Sequence, residues 1–274
     1  MTYLIADSGS TKTSWVLTDG TMRHEAETLG INPVRDSEAD IERVIEQLSI
    51  DGPTPNVVQF YGAGCIEPYS GVVQRVLQRR FPDAEIMVES DLLGAARALC
   101  GRSEGIACIL GTGSNSCHYD GTRISANISP LGWILGDEGS GAVLGRRLVS
   151  DVLKGEFSPE LCEAFTQETG LTRTTIINKV YREPMPNRWL ASLVPFLGRH
   201  RSDTQVRQFL IDEFRRFLRR NVAKYQRLDL PVHFVGGIAS SYQDELAEAL
   251  RLEGMQLGRI LKRPIDGIVE YLLH

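Results

Sequence analysis

Two segments of the chain combine residue types suited to holding anions. Asp7-Ser8-Gly9-Ser10-Thr11-Lys12-Thr13 is a run of hydroxyls and small residues around one lysine. Glycine lets the backbone approach an anion, successive N–H groups form a nest for it, and Ser and Thr hydroxyls add donors. Lys12 adds positive charge. Asp7 would repel a phosphate directly, so its use there is to orient the waters of a Mg²⁺ ion. A plain polar hairpin turn has the same composition, and one such run does not establish a site. Gly111-Thr112-Gly113-Ser114-Asn115 offers the same donors in the second half of the chain. Two turns of this kind could grip a polyphosphate from both sides, and the pair is more specific than either member.

Three further positions could complete such a site. Asp91 follows an apolar strand and opens a helix, where an aspartate either caps the helix or, kept ionised by the helix dipole and backbone N–H groups, takes a proton from an attacking alcohol. Gly136-Asp137-Glu138-Gly139-Ser140-Gly141 is a second acidic turn before a helix. There Asp137 either caps the helix or accepts hydrogen bonds from substrate hydroxyls. Gly236-Gly237, after the strand Val232 to Val235, either lets an adenine lie flat on the backbone or is a plain strand-to-helix turn. No G-x-x-x-x-G-K-[ST] run is present and no G-x-G-x-x-G opens a helix after a strand, which argues against a P-loop and a dinucleotide enzyme.

The elements that must position these residues repeat. Residues 3 to 20 read as strand, polar turn, strand, then Asp19-Gly20-Thr21, and residues 105 to 122 read the same way and end in Asp120-Gly121-Thr122. In this echo Asp7 to Ser10 lies over Gly111 to Ser114. After each hairpin come a third strand, then helix, strand, helix, strand and helix. The first series includes a helix from about Ser37 to Leu48 and a helix from Asp91 with Leu92, Ala95, Ala96 and Leu99 on one face. The second includes a small-residue helix from Gly141 to Leu153 and one long helix from about Thr204 to Tyr225. This predicts an α/β fold of two duplicated halves with mixed sheets facing each other across a cleft, split into domains 1–103 and 104–274. A polar, helix-like stretch near 158–203 is expected as an insertion and carries no assigned role.

Composition narrows the class. A chain of 274 residues exceeds the usual single core and suits two domains. Its formal charge of −5 argues against nucleic acid as a partner. Five cysteines, an odd number without a C-x-x-C spacing, indicate neither a disulfide framework nor a zinc site. No apolar run approaches the roughly 20 residues needed to span a bilayer, and no signal peptide is evident, so a cytoplasmic protein is expected.

Taken together, in order along essentially the whole chain, these residues resemble the N-acetylglucosamine kinase group of the BadF/BadG/BcrA/BcrD-type ATPases, within the actin/hexokinase/Hsp70 superfamily of ribonuclease H-like domains. The resemblance implies ATP and Mg²⁺ as cofactors, a sugar as substrate and a homodimer. Ser10, Thr11, Lys12 and Thr13 resemble the first phosphate motif, and Gly111, Thr112 and Gly113 the second. Gly236 and Gly237 resemble the adenosine motif, Asp91 the catalytic base, and Asp7 a residue that holds Mg²⁺ through water. Gly30-Ile31-Asn32-Pro33 resembles the loop whose asparagine, here Asn32, holds the sugar, joined by Ser114, Asn115, Gly132 and Asp137. Relatives commonly carry Gly-Gly-Trp-Gly shortly before the acidic turn. Here the positions read Ser129-Pro130-Leu131-Gly132, with Trp133 two residues late. The expected activity is phosphorylation of N-acetylglucosamine at its 6-hydroxyl. Glucosamine, N-acetylmuramic acid and N-acetylmannosamine are alternative substrates, and an ATPase that activates a partner enzyme is an alternative of another class.

Overall fold

The structure, a computed structural model, describes residues 1–9 and 11–273. By its contacts the chain forms two units: residues 1–107, 119–125 and 263–274 make the first, and residues 108–118 and 126–262 the second.

The first unit is built on a sheet of β1 (Tyr3–Ser8), β2 (Lys12–Thr18), β3 (Arg23–Leu29), β4 (Val57–Gly62) and β5 (Glu85–Ser90), in the order β3-β2-β1-β4-β5. β1, β2 and β3 pair antiparallel, whereas β1, β4 and β5 run parallel. Every residue of β4 is buried, as befits a central parallel strand covered on both faces. β3 is the charged edge strand Arg-His-Glu-Ala-Glu-Thr-Leu, a sequence that discourages further pairing. Leu4, Ala6, Trp15, Leu17, Val58 and Phe60 form a core with α1 (Glu38–Glu46) and α2 (Ser70–Arg80). The next residue along β4, Tyr61, points to the other face, where Gly94 of α3 (Asp91–Cys100) lies against its ring.

The second sheet joins β6 (Gly105–Leu110), β7 (Ser114–Tyr119), β8 (Ile124–Asn127), β9 (Val232–Val235) and β10 (Leu257–Leu261) in the order β10-β9-β6-β7-β8. Counted from the start of each half, this is the strand order of the first sheet. The duplication extends to the hairpin ends. Asp19 Oδ1 accepts from the N–H groups of Thr21 and Met22, and Asp120 Oδ1 from those of Thr122 and Arg123. The strand ends also correct the register of the echo. β1 and β6 each run six residues, so Gly9 rather than Asp7 corresponds to Gly111.

Helices α4 (Gly132–Leu135) and α5 (Gly141–Lys154) follow β8. The expected insertion consists of α6 (Pro159–Thr169), α7 (Arg173–Tyr181), α8 (Pro186–Ser192) and α9 (Pro195–Arg199). The long helix expected to Tyr225 is divided: α10 (Thr204–Arg220) ends before Asn221, and a single 3-10 turn covers Val222–Tyr225. At that point the Asn221 side-chain amide donates to the Phe217 carbonyl and to the Glu138 carboxylate. α11 (Gly237–Ser241) and α12 (Gln243–Leu252) flank the last two strands.

The units depart from the expected 1–103 and 104–274 division in one respect. The final helix, α13 (Pro264–Leu273), belongs with the first unit. It buries Ile265, Ile268 and Val269 and crosses α3 closely, because a Cβ on Gly267 would stand 2.5 Å from the Ala98 carbonyl oxygen. Gly267→Val should therefore lower the unfolding free energy by about 1–3 kcal/mol. Urea denaturation checks this, and an unchanged midpoint would mean that the two helices are not in such close contact.

Candidate functional site

In the first unit the candidate residues gather where β1, β4 and β5 end. Parallel pairing sets Asp7 beside Tyr61 and Tyr61 beside Glu89, then Ser8 beside Gly62 and Gly62 beside Ser90. The three strands thus finish level, and ligands of α/β sheets bind beyond such carboxyl ends. Ser90 caps α3 by accepting from the Leu93 N–H at 3.2 Å. Asp91 is therefore not the cap, and its Oδ1 accepts from the Leu92 N–H at 2.9 Å. The expectation that helix and backbone donors dominate its ionisation is corrected: burial outweighs the Leu92 hydrogen bond and pushes the Asp91 carboxyl up to about 6. Asp7 is pushed up to about 7, by burial first and by the Asp91 charge second, while Arg263 and Lys12 draw it down. A buried carboxyl raised further by a neighbouring carboxylate is a place where a cation would be favoured. No group of three His, Cys, Asp or Glu among the described residues could cage a metal, so Asp7 could hold Mg²⁺ only with waters and phosphate oxygens, the usual habit of that ion.

The sugar-loop candidate Asn32 is fixed from two directions. The Ser8 hydroxyl accepts from the Ile31 N–H at 2.9 Å and pairs with the Thr13 hydroxyl at 2.8 Å, which ties the loop to the end of β1. Asp36 accepts from the Asn32 N–H at 2.8 Å. The Asn32 Oδ1 accepts from the Val34 N–H and occupies the space beside Gly64 (φ 77°), where a Cβ would stand 2.3 Å from that oxygen. Within the first turn, Thr13 is buried and donates to the Leu29 carbonyl, so its hydroxyl supports the fold rather than facing a ligand. The Lys12 ammonium pairs with Glu27 on the exposed hairpin. Thr11 is exposed, and Ser10 lies outside the described residues.

In the second unit a different fastening positions the candidates. The first two N–H groups of α5 donate to the Gly111 and Thr112 carbonyls at 2.8 and 3.0 Å. With the Gly111 N–H closed onto the Gly113 carbonyl, the N–H groups of Thr112 and Gly113 remain without a partner among the described residues and could receive phosphate oxygens. Ser140 caps α5, so the Asp137 carboxylate is not used as the cap. Asp137 has φ 51°, donates its N–H to Pro130, and places Oδ2 3.1 Å from where a Cβ on Gly113 would stand. Burial pushes this carboxyl up to about 6, against a hydrogen bond from the Gly132 backbone and with help from the Glu138 charge. The residues that depart from the common Gly-Gly-Trp-Gly pattern thus hold Asp137 directly, with Leu131 in left-handed backbone (φ 64°). Gly236 lies against the Leu110 carbonyl, and the space beside Gly237 is open. Ser114 is buried, while the Asn115 Oδ1 accepts from Ser116 and Asn127.

The residues that the motifs did not reveal are those acting through others. Ser8 and Gly64 shape the Asn32 loop. Arg263 draws down Asp7 while donating to Glu25. The buried Glu138 accepts from Arg220 and Asn221, anchoring the Asp137 turn to the end of α10. Ser8 and Glu138 lie inside the first turn and the acidic turn, but their residue types did not show these supporting roles, and Arg263 had no sequence signal at all.

Two five-stranded sheets of one order, each opening with a small-residue turn, define an actin-like ATPase fold of two ribonuclease H-like domains. A Porphyromonas gingivalis structure provisionally named an N-acetylglucosamine kinase is 46% identical, with 98% of each chain covered and a TM-score of 0.92. The chain accordingly belongs to the N-acetylglucosamine kinase-like group of the BadF/BadG/BcrA/BcrD-type ATPase family. A similarly named structure from Chromobacterium violaceum is 22% identical over 99% of this chain and 98% of its own (TM-score 0.75), and the MamK double helical filament is 14% identical over 99% and 98% (TM-score 0.53). Both share the fold alone. No protein-family model matches the sequence. No curated protein matches it either.

The raised acids make stability depend on pH. A carboxyl whose folded-state pKa lies above its unfolded value adds stability at low pH that is lost as pH rises through the folded value. For Asp91 and Asp7 that loss falls between about pH 4 and pH 7. In Mg²⁺-free buffer, Asp91→Asn should be about 1–3 kcal/mol more stable than the parent at pH 8, with the gap closing toward pH 4. Urea titrations at both pH values test this, and a gap independent of pH would show that Asp91 is not desolvated.

Proposed function

We propose that the chain is an ATP-dependent amino-sugar kinase that phosphorylates the 6-hydroxyl of N-acetylglucosamine. The observation that carries this reading is Asp91: relieved of capping by Ser90, at the level end of three parallel strands, with a carboxyl raised to about 6. A base with a pKa just below neutrality is well matched to accept a proton from an alcohol in the transition state.

When bound, Mg²⁺-ATP supplies the phosphoryl group and its charge neutralisation. The protein's part is positioning and fixed dipoles. Asn32 and Asp137 hold the sugar hydroxyls, with Ser114, Asn115 and Gly132 completing its contacts. Thr11, Lys12 and the free N–H groups of Thr112 and Gly113 receive phosphate oxygens, while Asp7 orients waters on the metal. Adenine lies over the open backbone at Gly236-Gly237. Thr13 and Ser8 contribute by holding the loop that carries Asn32. The family resemblance supports a homodimer acting in the cytoplasm. Among the described residues, no helix is long and apolar enough to cross a membrane.

ADP release with Mg²⁺-ATP, with and without N-acetylglucosamine, tests the proposal. Release should depend on the sugar. Asp91→Asn should cut turnover by about 10²–10⁴-fold with ATP affinity nearly unchanged. A variant within about threefold of the parent would remove Asp91 from the chemistry. If glucosamine, N-acetylmuramic acid or N-acetylmannosamine is turned over better, the kinase class stands and the substrate changes. No sugar dependence across the panel would favour the partner-activating ATPase.

A further inference from the structure

Helices α4 and α5 and the insertion after them border a half-open cavity that none of the chemistry above uses. Its volume is about 700 Å³, within the range of small-molecule sites. Val149 and Leu153 of α5, Ile176 and Val180 of α7, and Trp133 and Ile134 of α4 supply apolar walls. Ile134 at 66% and Tyr181 at 77% exposure are large apolar groups left facing water, which is uncommon for clustered side chains without an occupant.

The polar groups at this cavity are of one sign. Arg146, Lys154 and Arg173 line it, and no Asp or Glu does, in a chain whose formal charge is −5. Neither Lys154 nor Arg173 has an ion-pair partner among the described residues. Asp151, one turn before Lys154, pairs with Arg147 at 3.5 Å and feels the Lys154 charge only as a weaker influence. Arg173 opens α7, the end where the helix dipole disfavours a cation, and no acid in that first turn offsets it. Lys154 suits the last turn of α5, whereas the fold gains little from Arg173.

A neutral apolar molecule would leave the cations unused, and a nucleotide would leave the apolar walls unused. We propose that the cavity binds an organic anion with an extended apolar body, of which a medium-chain fatty carboxylate is the simplest form. The acyl chain lies against the α5 and α7 side chains, and the head group meets Lys154 and Arg173. Arg146 Nη1 donates to the Trp133 and Ile134 carbonyls at 2.9 and 3.1 Å. An occupant therefore touches the helix that leads directly into Gly136 and Asp137.

The test titrates the full chain with decanoate, decyl phosphate and decanol, followed by calorimetry and tryptophan fluorescence. Decanoate should saturate one site per chain and bind at least about tenfold more tightly than decanol. Lys154→Gln with Arg173→Gln should weaken decanoate by about tenfold or more and leave decanol unchanged. Trp133→Phe should remove the fluorescence change. Decyl phosphate binding in preference, with the same dependence on the two cations, supports the site and assigns the head group. Failure to saturate, equal affinity for decanol, or indifference to the charge variants would overturn the proposal. So would a dimer seen by light scattering that Tyr181→Glu converts to monomer, because that face would then be covered by a second copy.

Discussion

The parallel register of β1, β4 and β5 is the constraint on which the first unit's chemistry rests. Because the strands end level, the backbone leaves the sheet at Ser8, Gly62 and Ser90 together. The next residues of each strand then converge without long loops. A shift of one residue in β5 would turn Asp91 to the opposite face. The shift is resisted by β4, buried along its whole length. Ser8 converts that backbone regularity into side-chain placement, since its buried hydroxyl joins the end of β1 to the loop that carries Asn32. A buried hydroxyl with several partners is costly to leave unpaired, so the loop is held by the same term that keeps the strand end closed.

The second unit reaches a comparable result by spending a helix terminus on structure. The leading N–H groups of α5 are often thought of as an anion site, yet two of them bind the carbonyls of Gly111 and Thr112. Their effect is to orient the turn, so that its own N–H groups, rather than those of the helix, are the ones left open. Glu138 plays the matching part for the acidic turn: its charge is buried and answered by Arg220 and Asn221. Removing one member of such a group leaves an unanswered buried charge.

The fold was largely legible in the sequence because it depends on pattern. Hairpins ending in Asp-Gly-Thr occur twice, apolar strands are bounded by turn residues, and helical faces repeat at the right period. The register of the echo was not legible. Asp7 to Ser10 matches Gly111 to Ser114 by residue type, while strand length decides for Gly9 and Gly111. Likewise, residue type alone could not decide whether Asp91 caps its helix. Ser90 stands one position earlier and is as good a cap, and only backbone angles select it. The raised carboxyls and the internal use of the Thr13 hydroxyl are properties of burial, which depends on segments distant in sequence. Arg263 is the extreme case, since it acts on Asp7 from the far end of the chain.

The return of α13 to the first unit has a consequence for biosynthesis. Residues 108–118 and 126–262 lie between the strands of the first unit and the helix that packs on α3. Chains are made from the amino terminus and domains tend to fold as units. Here the earlier unit cannot complete its core until the later one has been translated. Until then the α3 surface that Gly267 will cross stays uncovered, and the nascent first unit is an unfinished layer open to solvent and to chaperones.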